Sequence, residues 1–143
     1  MKSLKSFKNK DNTVAIFDYQ DPFFIEDSYT EEEKLIRDNT RNFAKKELFP
    51  KILEANRYEK YDKNLFIKLG SLGLLGAQIK GYGCSGVTSV AYGLIAKEIE
   101  AVDSSYRSSF SVQSSLVMQP IFDYGNEMQK QKYLPKLASA QLI

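Results

Sequence analysis

Apolar positions recur at helical spacing along most of this 143-residue chain, and the runs are separated by prolines, glycines and capping residues. Leu35, Ile36, Phe43, Ala44 and Leu48 predict a first helix. Its start is marked by Thr30, which with Glu33 three residues on makes the pattern of a capping box, while Glu31 and Glu32 lie where the helix dipole favours acids. The basic pair Lys45-Lys46 stands near its expected end at Phe49, and Pro50 should stop or kink it, with residues 52–59 as a continuation. Leu65, Phe66, Leu69 and Leu72 predict another helix, from near Asp62 to Gly73 or Gly76; glycines at 70, 73 and 76 also permit close approach of a neighbour. Val90, Ala91, Leu94, Ile95 and Ile99 form the expected buried side of a helix over residues 87–102, where Ala91, Gly93 and Ala96 leave room for another element.

Asp103 reads as the N-cap of the next helix, which runs to about Met118. Pro120 should then kink or break the chain, and Gly125 or Asn126 begins a last helix over residues 127–134. Residues 1–16 show no periodicity and read as a mobile tail. The aromatic, proline-broken stretch 17–24 reads as an extended arm. The glycine loop of residues 81–86 fits either a tight turn with positive φ or, being ahead of a helix, a phosphate cradle, although it lacks the GxGxxG spacing. Little alternation is present, so the fold class is all-α: an up-down bundle of five or six antiparallel helices.

The helix after Asp103 has an unusual polar face. At about 100° per residue, Ser104, Arg107, Ser108, Ser111, Ser115 and Met118 share one side, and Tyr106, Phe110, Leu116 and Val117 the other. Arg107 stands near the positive end of the helix dipole, which disfavours a cation by roughly 0.3–1 kcal/mol. Two kinds of partner would compensate: Glu98 or Glu100 at the end of the preceding helix, or the carboxylate of a ligand, which arginine grips bidentately and lysine does not.

Composition narrows the chemistry further. With 43% apolar and 27% charged residues the chain is an ordinary globular one, long enough for a real core. A net charge of +2, with Lys2, Lys5, Lys8 and Lys10 clustered at the start, leaves no basic stripe for nucleic acid. Histidine is absent and Cys84 is the single cysteine, which removes an internal disulfide, a Ser–His or Cys–His nucleophile and almost every ligand for zinc. No secretory h-region and no apolar run long enough for a membrane span is present, so a reducing cytoplasm is the simplest compartment.

The run from Gly81 to Met118, in particular VDSSYRS and SVQSSLVM, followed by GNEMQKQKYLP at residues 125–135, resembles the N-terminal helical domain of acyl-CoA dehydrogenases, and within that family looks most like glutaryl-CoA dehydrogenase. FDYQDP, Ile36-Arg37-Asp38 and Ala55-Asn56-Arg57 fit the same template, so the resemblance covers residues 17–143. It implies an FAD enzyme that oxidises glutaryl-CoA at Cα and Cβ, releases carbon dioxide to give crotonyl-CoA, and passes electrons to an electron-transfer flavoprotein. It also implies that Arg107 binds the distal carboxylate of the acyl-CoA substrate, with Ser108 beside it, Glu100 near the same pocket and Val112 lining it. For full-length members it implies a homo-oligomer, usually a tetramer, in the cytoplasm of a bacterium or the mitochondrial matrix of a eukaryote.

In that family a flavin-binding β-domain and a C-terminal helical domain carrying the catalytic base follow this region, and both are absent from the sequence given. No residue is therefore assigned as catalytic base. Turnover is not expected from these residues alone, and FAD binding should be feeble. Two alternatives are an acyl-CoA dehydrogenase for another acyl chain and a non-catalytic helical interaction module.

Overall fold

A computed structural model describes residues 18, 19 and 21–143. The expected tail at residues 1–16 lies outside them, as do Phe17 and Gln20 of the expected arm. What is described of that arm is turned rather than extended. The N–H of Phe24 donates to the Asp21 carbonyl, and the Asp21 carboxylate accepts the N–H groups of Ile25 and Glu26 to begin a 3₁₀ turn, Ile25–Ser28. An aspartate ahead of a proline favours such local capping over an open strand.

The remaining chain is an all-α fold of five helices with almost no strand. Helix α1 covers residues 31–57 without interruption, as Glu31–Phe43, a wide π turn Ala44–Leu48, and Phe49–Arg57. Helix α2 is Asn64–Ser71; a two-residue hairpin, β1 (Lys80–Gly81) with β2 (Cys84–Ser85), precedes α3, Ser89–Glu100. Helix α4 covers residues 104–124 as Ser104–Ser111, a second π stretch Val112–Met118, and Gln119–Tyr124. Helix α5 is Glu127–Ala138.

The two long helices solve the proline problem in the same way. A proline ring would collide with the carbonyl four residues back and offers no N–H to it. Immediately before Pro50 the N–H of Phe49 reaches the Ala44 carbonyl, and immediately before Pro120 that of Gln119 reaches Ser114, each five residues back. The widened turn carries the helix past the ring. Neither proline therefore ends its helix; of the kink or break expected at Pro120, the break does not occur. Pro135 likewise lies inside α5, which extends four residues beyond the expected end.

Capping follows local chemistry. Thr88 accepts the Ala91 N–H, Asp103 accepts the Ser105 N–H, and Asn126 with Gln129 forms a reciprocal capping box. The glycine loop is the turn of the hairpin: Tyr82 and Gly83, both at positive φ, join strands in the register Lys80↔Ser85 and Gly81↔Cys84.

The core is built from Leu48, Leu69, Leu75, Ile79, Ile95, Ile99, Phe110, Met118 and Leu134. Several expected core positions lie outside it. Leu35, Val90 and Leu116 are exposed and Leu72, past the end of α2, is half-exposed, whereas Met118, expected on the polar face, is fully buried against Gly76. The π stretch resets the helical phase after Val112, so one period cannot describe both halves of α4. Close approach through glycine is met at Gly70, where a Cβ would sit 2.8 Å from the Ala138 carbonyl, but Gly93 faces open space.

Candidate functional site

The polar face of α4 begins at an elbow. Helix α3 ends at Glu100, Asp103 restarts the chain as the cap of α4, and Arg107 lies two turns beyond Glu100. Across this elbow Arg107 Nε donates to Glu100 Oε2 at 2.5 Å, and Nη1 donates to Ser111 Oγ at 3.3 Å. The other oxygen of Glu100, Oε1, accepts the Ser104 hydroxyl at 2.6 Å. The Ser104 hydroxyl first, and then Arg107, hold the Glu100 carboxyl below its ordinary range. Both side chains remain accessible, 38% for Arg107 and 43% for Glu100, so the pair is well screened by water. The end-on edge of the guanidinium, formed by Nη1 and Nη2, meets no carboxylate among the described residues.

Of the two acids expected beside Arg107, only Glu100 takes that place. Glu98 is buried and turned towards α1, where Arg41 grips it with Nε at 2.9 Å and Nη2 at 2.8 Å. Ser108 and Val112 are exposed on successive turns of the same side of α4, with Leu116 one turn further on. Thus Glu100, Arg107 and Ser111 are in contact, and Ser108 and Val112 continue the exposed surface of α4.

Beside this strip is an open cleft of about 450 Å³, lined by Gly76, Gln78, Ile79, Tyr92, Ser114, Ser115 and Gln119. None of the four nominated residues lines it. Ser114 is buried and accepts the Gly76 N–H at 3.0 Å, while the Tyr92 and Ser115 hydroxyls lie 3.1 Å apart. Sequence reasoning placed Ser115 on the polar face and missed Ser114 and Tyr92. A proline inside a long amphipathic run is the signal that could have warned of a change of phase. Burial pushes the Cys84 thiol up to about 11, which keeps it protonated and inert near neutrality.

The acyl-CoA dehydrogenase N-terminal domain model matches residues 30–141. The chain belongs to the acyl-CoA dehydrogenase family. An acyl-CoA dehydrogenase of Bacillus subtilis is 35% identical over 111 residues, covering 77% of this chain and 29% of that protein. The mitochondrial isovaleryl-CoA dehydrogenase of Pongo abelii is 35% identical over 119 residues, covering 80% and 28%. Two solved structures of glutaryl-CoA dehydrogenase from Mycobacterium smegmatis, one of them in complex with FADH2, superpose with TM-scores of 0.82 and 0.81 at 38% and 42% identity. They cover 85% and 83% of this chain and 31% of each neighbour. The chain thus spans about three tenths of the length of the proteins that it matches. Among the described residues no helix is long and apolar enough to cross a membrane.

Proposed function

We propose that this chain forms the acyl-chain side of an FAD-dependent glutaryl-CoA dehydrogenase, with Arg107 as the receptor for the distal carboxylate of the substrate. The observation that carries this reading is the state of Arg107: a half-exposed guanidinium whose Nε donates to Glu100 and whose Nη1 gives one of its two N–H groups to Ser111, leaving Nη2 and the other Nη1 N–H for a carboxylate. Exposed Ser108 and Val112 extend the same surface and would flank the acyl chain. The neighbours named glutaryl-CoA dehydrogenase, at 38% and 42% identity, support the same substrate.

FAD is the cofactor proposed from the family; when bound, it would accept the hydride removed from the acyl chain. The cleft beside α4 is lined by neutral side chains alone, so it offers no cation for the pyrophosphate of FAD. These residues do not fit the whole cofactor. The role left to this chain is to bind and orient the substrate. An electron-transfer flavoprotein is the proposed electron acceptor.

A second reading, a dehydrogenase for an apolar acyl chain, is favoured by the Arg107–Glu100 contact, which already supplies the guanidinium with a counter-charge. Titration of the chain with glutaryl-CoA and butyryl-CoA separates the two. Glutaryl-CoA should bind about tenfold more tightly, and Arg107→Ala should abolish the difference. Equal binding of the two thioesters by the wild-type chain would rule out the carboxylate receptor.

A further inference from the structure

The Glu100–Arg107 pair is held by one contact on a side where a fork is possible. Arginine presents two bidentate edges: a side-on edge of Nε with Nη2, and an end-on edge of Nη1 with Nη2. Glu100 uses a single oxygen, Oε2, on Nε alone. Its second oxygen is engaged elsewhere, by the Ser104 hydroxyl at 2.6 Å. Ser104 is the first residue of α4 and lies three before Arg107, so the two side chains rise from the same end of the helix and meet Glu100 from either side. The carboxylate of Glu98, which is buried, closes with Arg41 into a full two-point fork.

We propose that Ser104 is a positioning residue of the site. By engaging Oε1 of Glu100 it restricts the carboxylate to a single-point grip on Arg107 and leaves Nη2, with the Nη1 N–H that Ser111 does not take, for the carboxylate of the ligand. Ser111, on Nη1, fixes the plane of the guanidinium from the opposite side. The serines of this face therefore act in different ways. Ser104 restrains the competing carboxylate, and Ser111 orients the guanidinium. Without Ser104, Oε1 of Glu100 is released and swings onto Nη2, and the internal acid becomes a fork that competes with the ligand. This inference rests on the reading of Arg107 as a carboxylate receptor.

The test uses the full chain, ¹⁵N-labelled, with glutaryl-CoA and butyryl-CoA as probes and the Arg107 side-chain N–H signals as the readout. In the wild type, glutaryl-CoA should shift the Arg107 signals and bind more tightly than butyryl-CoA. In Ser104→Ala, glutaryl-CoA affinity should fall about fivefold to tenfold, butyryl-CoA affinity should stay unchanged, and the ligand-free Nη2 signal should move as the internal fork forms. Ser104→Thr, which keeps the hydroxyl, should restore the wild-type pattern. A purely structural role would weaken both thioesters alike and would not be rescued in the Nη2 signal. Wild-type selectivity that persists unchanged in Ser104→Ala overturns the positioning role while leaving the receptor reading intact. Absence of selectivity in the wild type itself overturns both, and is recognised before any variant is made.

Discussion

Glu98 and Glu100 stand two residues apart at the end of α3, and each holds an arginine, yet the two pairs are different objects. Glu98 points inward and meets Arg41 of α1, 57 residues away, through two hydrogen bonds; its side chain is only 8% exposed. Glu100 points outward and meets Arg107, seven residues away, through one hydrogen bond with both partners well exposed. A two-residue step on a helix is about 200°, enough to move a carboxylate from the core side to the solvent side. The inward pair ties two helices together. The outward pair contributes little to stability, and its arginine retains donors for another molecule.

The same division runs along α4, where Phe110 and Met118 are buried, and Val112 and Leu116 exposed. Truncating the inward side should have the largest effect. Phe110→Ala is expected to lower stability by about 4 kcal/mol, measured by urea unfolding, through lost burial and the cavity left behind. Leu116→Ser, two turns on, should leave the midpoint unchanged; a comparable loss would mean that Leu116 is covered in solution. For the ion pairs, Glu98→Ala should destabilise by about 2–3 kcal/mol, because the two-point tie between α3 and α1 is lost at a buried carboxylate. Glu100→Ala should have no resolvable effect on the unfolding midpoint, and equal losses from the two variants would dissolve the contrast.

A smaller effect lies in the titration of Glu100. Its carboxyl is held below the ordinary range, so its contribution to stability is complete above the ordinary carboxyl pKa and is lost as pH falls through the depressed value. Exposure keeps that contribution small. The side-chain carbonyl shift followed from neutral to acid pH should show a midpoint below that of a free glutamate. In Ser104→Ala the midpoint should move upward, since the Ser104 hydroxyl is the largest influence on it; an unmoved midpoint would remove Ser104 from the pair. The smallest expected signal is chemical. Cys84, pushed up to about 11 by burial, should react with a thiol reagent at pH 8 far more slowly in the folded chain than in urea.

Much of the fold was legible from local chemistry. Asp103 caps the helix it was expected to cap, and of the two expected starts of the last helix, Gly125 or Asn126, it is Asn126 that caps it, since a side-chain oxygen needs only the N–H groups two or three residues on. The five helices follow from apolar periodicity for the same reason. The resemblance carried by VDSSYRS and SVQSSLVM is borne out by the family match over residues 30–141. Periodicity failed where the helix stopped being regular. Leu116 and Met118 exchanged faces across the π stretch before Pro120, and at that proline the sequence left a kink and a break both open, where the helix continues to Tyr124.

The sequence by itself thus determined the helices, their caps, the family and the lone guanidinium near the start of α4, all properties of spacing within a dozen residues. Only the tertiary structure decided which acid meets Arg107. Charge and spacing left Glu98 and Glu100 both open and the family resemblance pointed to Glu100; the packing of α3 against α1 and α4 draws Glu98 to Arg41 and leaves Glu100 at the elbow. It also set Ser104 against the free oxygen of Glu100, brought Tyr92 towards Ser115, and brought Ser114 onto Gly76. The physical reason is that a carboxylate's partner depends on the angle between helices, and that angle is set by the summed packing of side chains distant in sequence.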